Sequence, residues 1–173
     1  AADGRRLATA ANQATRTPDG VSIRLLANAE SPADIAMARA RGSDGIGLHR
    51  TEFLFLEHKR PPAEDEQFNA YRDLVLGMGG APVTIRTLDL GADKADAAGL
   101  AMRGEDNPAL GLRGVRLSLH YPAVFSTQIR AILRAGCYGP VRVLVPMVSQ
   151  PDELLAVRAL FNLAREELRQ ENV

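Results

Sequence analysis

Two arginines stand at positions where an α/β protein does its chemistry. In the stretch Gly45 to Glu52, Arg50 lies just past a short apolar run, and in Thr84 to Asp89, Arg86 lies inside one. Strand alternation sends Thr84, Arg86 and Leu88 to one face and Val83, Ile85 and Thr87 to the other. A guanidinium within an apolar strand is costly to bury unless an anion or a carboxylate meets it. Two such groups at one end of a sheet form a fork suited to phosphate or carboxylate. A third candidate, Arg113, follows in Asn107 to Arg116, with Arg116 close behind it. A second reading of the same residues stays open. Arg50 and Arg86 can pair with Glu52 and with Asp89 or Asp93 as structural ion pairs, and such networks give the same sequence signal.

These residues need a frame to hold them. Four short runs, Val21 to Ala27, Gly45 to Leu48, Pro82 to Leu88 and Val141 to Met147, are apolar, rich in β-branched residues and bounded by breakers, the pattern of buried parallel strands. Helical patterns lie between them. Ser31-Pro32-Ala33-Asp34 reads as a helix start, with a hydroxyl cap, a proline in the first turn and an acid three residues on. That helix runs to about Arg41 and stops at Gly42. A second carries Phe68, Tyr71, Val75 and Met78 on one face and ends in Gly79-Gly80. A third, with Phe125, Ile129, Ile132 and Leu133, begins after Pro122 and ends at Gly136. A fourth opens at Ser149-Gln150-Pro151-Asp152 and carries Leu154, Val157, Phe161, Ala164 and Leu168.

The order β-α-β-α-β-α-β-α specifies a parallel sheet with right-handed crossovers. It closes either as an open doubly wound sheet or as a (β/α)8 barrel. Four units are about half of a barrel, which takes roughly 250 residues when complete. The expected fold class is therefore α/β, the first half of a TIM barrel over residues 21–173. Residues 1–20 are read as a linker or the helix end of a preceding domain. The sequence stops in or just after the fourth helix, which is read as a fragment boundary. Two long connections, Glu57 to Glu64 and Asp89 to Asn107, follow strand C-termini, the face where parallel α/β proteins place their sites.

Composition narrows the class further. The 21 Lys and Arg balance 21 Asp and Glu, and this zero net charge argues against a nucleic-acid or anionic-membrane binder. No apolar run approaches the roughly 20 residues of a membrane span, so no membrane insertion is expected. The start, Ala1 to Arg6, lacks the apolar core of a signal peptide. A single cysteine, Cys137, fits a reducing compartment, and a cytoplasmic location is expected. With one cysteine and three scattered histidines, a zinc site built from thiolate or imidazole is not expected.

The arginine segments also carry a resemblance. Gly45 to Leu56, Ile85 to Lys94, Asn107 to Arg116 and Gln128 to Ala135, followed by Val145-Pro146-Met147-Val148, resemble in order the motifs of the phosphoenolpyruvate-utilising enzymes. The runs Thr51 to Phe55 and Leu88 to Lys94 are most similar to Enzyme I of the bacterial phosphotransferase system, a phosphoenolpyruvate–protein phosphotransferase family, rather than to pyruvate phosphate dikinase. The resemblance implies a (β/α)8 barrel that binds phosphoenolpyruvate and magnesium at its C-terminal face. By match, Arg50 and Arg86 grip the phosphate and Arg113 lies close to the same site. Asp93 and Lys94 order the loop after the third strand, with Glu52, Asp89 and Arg116 as supporting residues. Ala92 departs from the family's second glycine, and Ala95 to Gly99 from its aromatic-containing stretch.

By the same resemblance, the magnesium ligands, a proton-donating cysteine and the phosphoacceptor histidine belong to segments outside this sequence. No catalytic residue and no metal ligand is therefore assigned within it. His49 is read as a packing residue, His58 and His120 as solvated or capping residues, and Cys137 as a buried small residue away from the chemistry. The implied partners are phosphoenolpyruvate and a phosphocarrier protein serving sugar uptake, or a fusion protein carrying both functions. The isolated chain is expected to be inactive. Its open sheet edges are expected to self-associate, and the intact family forms dimers through this domain. Two rivals remain: a non-catalytic α/β module that binds a phosphometabolite or a protein, and a fragment of a pyruvate phosphate dikinase or phosphoenolpyruvate synthase.

Overall fold

A computed structural model describes residues 15–57, 60–91, 99–100 and 111–173. Four strands, β1 (Ala27–Asn28), β2 (Ile46–His49), β3 (Val83–Arg86) and β4 (Val141–Leu144), form one parallel sheet in the order β1-β2-β3-β4. The helices are α1 (Pro32–Ala40), α2 (Glu52–Leu56), α3 (Glu64–Gly77), α4 (Val115–His120), α5 (Pro122–Ala135) and α6 (Pro151–Gln170). The fold is α/β, with parallel strands in sequential order as in half of a (β/α)8 barrel.

Local signals place the helices as the sequence predicts. The Ser31 side chain accepts from the amide of Asp34 at 3.3 Å, and Asp34 accepts from the amide of Ser31 at 2.9 Å. This reciprocal cap satisfies two of the free donors at the start of α1. Its hydrogen bonds, first among them that from the Glu30 amide, hold the Asp34 carboxyl below the usual range. At α6 the Glu153 carboxylate reaches back to the amides of Ser149 at 2.6 Å and Gln150 at 2.9 Å.

The core lies between the sheet and α1, α3 and α5. Ile46, Val83 and Ile85 meet Tyr71, Leu74 and Val75 of α3 and Ala131 and Ile132 of α5, all nearly inaccessible to solvent. Tight apolar burial of this kind supplies most of the drive to fold. Arg142 and Leu144 alternate with the inward Val141 and Val143, so they stand on the opposite, exposed face. A second apolar cluster joins α4, α5 and α6 through Val115, Phe125, Ile129, Val157 and Ala164.

Three expectations need correction. The first strand is not Val21 to Ala27. Only Ala27–Asn28 pair with β2, while Val21, Ile23, Leu25 and Leu26 are 40–55% exposed. The preceding segment folds back instead, with Arg16 and Ser22 in an antiparallel bridge around a turn at Gly20. Next, two short helices, α2 and α4, form where apolar residues continue past the pattern of the strand or loop. Finally, Cys137 is exposed, in a short 3-10 turn at Gly136–Tyr138 at the N-terminal end of β4. The turn lifts it off the core that Ala135 still enters.

Candidate functional site

Arg86 is the last residue of β3, and its guanidinium meets one carboxylate that follows the neighbouring β2 and one that follows β3 itself. Its Nη2 lies 2.8 Å from Glu52 Oε1 on α2, and its Nη1 lies 3.3 Å from Asp89 Oδ2. Arg113 Nε approaches the other oxygen of Asp89 at 3.0 Å. The Asp89 amide donates to Glu52 Oε1 at 3.0 Å. The two carboxylate side chains are 14% and 7% exposed, so the cluster sits largely out of water. Two guanidiniums face two carboxylates, and the group is neutral as a whole.

Its hydrogen-bonding capacity is not filled. Arg86 Nε and Glu52 Oε2 are both buried without a partner among the described residues. Buried polar atoms are nearly always satisfied, so two exceptions within one ion-pair cluster call for an explanation.

Arg50 follows β2 on the same C-terminal side of the sheet but is held differently. Its Nη1 pairs with Glu30 Oε1 at 3.2 Å, with both side chains more than half exposed. The expectation that Glu52 pairs with one of the two leading arginines holds for Arg86. The partner of Arg50 is Glu30, which the sequence reading did not single out. Glu30 follows β1, so its signal was position at a strand C-terminus rather than closeness in sequence.

Backbone geometry brings Arg113 and Arg116 to this end of the sheet. Gly114 has φ +57°, and a Cβ there would stand 2.8 Å from Met147 Cβ and 2.9 Å from the Pro146 carbonyl oxygen. The Val115 amide donates to that carbonyl at 3.0 Å. Glycine thus lets α4 dock on the segment after β4, and Arg113 immediately precedes this contact. Arg116 donates to the carbonyls of Gly111 at 2.7 Å and Met147 at 3.3 Å, so it braces the loops. Asp93 and Lys94 lie outside the described residues, as does His58.

His49 is buried, as a packing residue should be. Its Nδ1 contacts the Ala29 carbonyl at 2.9 Å, and because a carbonyl only accepts, Nδ1 carries the proton. The ring stands edge-on to Phe53 and Tyr71. Burial pulls its pKa below the ordinary value, against the hydrogen bond to Ala29 and the charge of Glu30. His120 is exposed in the last turn of α4.

Glu52 and Asp89 are committed to guanidiniums, and no group of three His, Cys, Asp or Glu stands close enough to hold a metal ion among the described residues. The magnesium implied by the resemblance does not fit this donor set. What the cluster can do is offer cationic N–H groups to an oxyanion, with the carboxylates holding the forks in place.

A family model for the PEP-utilising enzymes, described as their PEP-binding domain, matches residues 4–173. The chain belongs to this family. The chain is 51% identical over 154 residues to a phosphoenolpyruvate-protein phosphotransferase of Cupriavidus necator, covering 88% of the chain and 26% of that relative. It is 43% identical over 162 residues to the protein of that name from Bacillus sp. (strain S), covering 94% and 28%. It is 40% identical over 170 residues to the one from Staphylococcus aureus, covering 98% and 30%. The domain therefore spans less than a third of the length of these curated relatives.

Proposed function

We propose that this domain supplies the phosphate-gripping half of the barrel in a phosphoenolpyruvate–protein phosphotransferase. Arg86 and Arg113 hold the phosphate, and Arg50 joins them when it exchanges Glu30 for the ligand. The observation that carries this reading is the buried, unfilled Arg86–Glu52 pair at the C-terminal end of the sheet. In phosphoryl transfer the P–O bond to the enol breaks while a bond from phosphorus to a histidine nitrogen forms, and the enolate takes up a proton. Charge spreads over the non-bridging oxygens, so fixed cations do most of the work available to the protein. Asp93 and Lys94 order the loop beside the site, and Glu52, Asp89 and Arg116 brace it.

In the whole protein the phosphoryl group passes to that histidine and then to a carrier protein for sugar uptake in the cytoplasm. Magnesium and its ligands come from other segments. The chain alone does not turn over. Mixed with phosphoenolpyruvate, magnesium and purified carrier, it yields no phosphorylated carrier above background. Binding is read by titration with phosphoenolpyruvate: Arg86→Gln weakens it by about tenfold or more, in line with the loss of one charge-assisted clamp. Affinity unchanged in Arg86→Gln and Arg113→Gln, or phosphorylated carrier made by the chain alone, overturns the reading.

A second copy of the chain is the partner that its edges fit. Among the described residues β1 and β4 each have one unpaired edge, the sheet face turned away from the helices exposes Arg142 and Leu144, and an open groove of about 500 Å3 lies between residues 22–28 and α1. Unpaired edges and open apolar surface favour association. The same domain contributes to dimers of the intact protein. Light scattering on the chain gives a dimer, and a clean monomer at micromolar concentration contradicts this. No helix among the described residues is long and apolar enough to cross a membrane.

A further inference from the structure

The run Gln128 to Ala135 on α5 holds one polar side chain that is almost fully buried. Gln128 is 1% exposed and faces the sheet, while Arg130 and Arg134 face the neighbouring helices. Its Oε1 accepts from the Leu88 amide at 3.0 Å. Its Nε2 donates to Thr51 Oγ1 and to the Tyr71 hydroxyl, both at 3.2 Å. Thr51 Oγ1 donates to the Arg86 carbonyl at 3.0 Å. Tyr71 donates to Gln67 Oε1 at 3.1 Å, and Gln67 Nε2 donates to the Pro62 carbonyl at 3.0 Å.

Every direction in this chain of bonds is forced. The Leu88 amide can only donate, so the Gln128 oxygen must face it. The Arg86 and Pro62 carbonyls can only accept, so the hydroxyl of Thr51 points at one and the amide nitrogen of Gln67 at the other. Thr51, Gln67 and Gln128 are all at most 1% exposed, so none of these bonds has water as a substitute. The chain therefore grips the main chain on both sides of Thr87: at the Arg86 carbonyl through Thr51, and at the Leu88 amide through Gln128. The Thr87 amide is held by the Leu144 carbonyl at 3.0 Å, and the Asp89 amide by Glu52 at 3.0 Å.

We propose that Gln128, acting through Thr51, is a positioning residue for the Arg86 guanidinium. It fixes the backbone from which Arg86 projects, so that the fork is in place before an anion arrives. A misplacement of about 1 Å in a site of this kind costs on the order of a hundredfold in rate, which makes such outer support functional rather than decorative. The inference rests on the reading that Arg86 meets the phosphate of phosphoenolpyruvate. It adds a residue 42 positions away in sequence that touches neither the ligand nor the guanidinium.

The test uses Gln128→Met, Thr51→Val and Thr51→Ser in the 15N-labelled chain. The Arg86 Nε–H signal, assigned by its disappearance in Arg86→Lys, is followed beside that of Arg130, and phosphoenolpyruvate affinity is measured on the same samples. Gln128→Met and Thr51→Val shift or broaden the Arg86 signal, leave the Arg130 signal in place, and weaken binding by about tenfold, the low end for outer-shell partners. Thr51→Ser, which keeps the hydroxyl, restores both. If Gln128→Met does not fold, Thr51→Val carries the test, since it removes a hydroxyl at nearly constant volume. The proposal is overturned if the Arg86 signal and the affinity match the parent in the folded variants. It is also overturned if both variants unfold, because the network would then be a core element without a specific tie to Arg86. A parent chain that does not bind phosphoenolpyruvate counts against the assigned ligand alone, and the Arg86 signal then decides the positioning role.

Discussion

The molecule holds two assemblies of arginine and carboxylate that look alike in sequence and differ in what they leave unfilled. At the strand ends, Arg86 and Arg113 share Glu52 and Asp89. In the helix layer, Arg130 on α5 meets Glu64 at 2.6 Å, Glu167 at 3.4 Å and Glu171 at 2.5 Å, while Arg134 meets Glu64 and Asp65 and covers the Phe68 ring at 4.1 Å. All three nitrogens of Arg130 are engaged, and the hydrogen bonds it donates, that to Glu171 first, raise its pKa. Arg86 Nε, by contrast, is buried without a partner among the described residues, and so is one oxygen of Glu52. The helix-layer assembly ties α3, α5 and α6 together and has no buried side-chain atom without a partner among the described residues. The strand-end assembly is unsaturated and sits where a parallel sheet presents ligands. Counting ion pairs cannot separate the two roles; remaining capacity and place in the fold can.

The widest gap is expected in stability. Arg86→Met leaves Glu52 and Asp89 in a largely buried setting and costs about 3 kcal/mol in urea unfolding, the lower part of the range for breaking a buried pair. Arg130→Met costs about 1 kcal/mol, because Glu64 keeps its pair with Arg134, while Glu167 and Glu171 are 40% and 51% exposed and regain water. Equal costs would erase the distinction. A pH effect sharpens it on the strand-end side. His49 is pulled below its ordinary 6.5 by burial, so the unfolded chain takes up a proton before the folded one. Stability therefore falls as pH drops from about 6.5 toward the lower folded value, and urea unfolding at several pH values shows a flatter profile in His49→Gln. The smallest effect belongs to the exposed pair. Glu30→Gln changes stability by no more than about 0.5 kcal/mol, while freeing Arg50 tightens phosphoenolpyruvate binding slightly. A weaker complex in that variant would mean that Glu30 helps the site rather than competing for it.

Much of the frame was legible because its signals are local. The cap of α1 at Ser31 and Asp34, the proline-led start of α6 and the alternation around Val83 and Ile85 all act within a few residues. The first strand misled because Val21 to Ala27 has strand composition, yet its apolar side chains stay exposed among the described residues, and composition does not report exposure. Arg86 and its link to Glu52 and Asp89 could be anticipated from an arginine inside an apolar strand. The partner of Arg50 could not, since Glu30 reaches it only once β1 and β2 lie side by side. Gln128 was visible as part of a motif, but its partners Leu88 and Thr51 lie 40 and 77 positions away, and only the fold brings them together.

The most direct measurement follows the arginine Nε–H signals of the labelled chain as phosphoenolpyruvate is added. Saturable shifts at Arg86 and Arg113, with Arg130 unmoved, are the predicted result. Equal movement at Arg130, or a stationary Arg86 while the ligand binds, would contradict the assignment of the unsaturated cluster as the anion site.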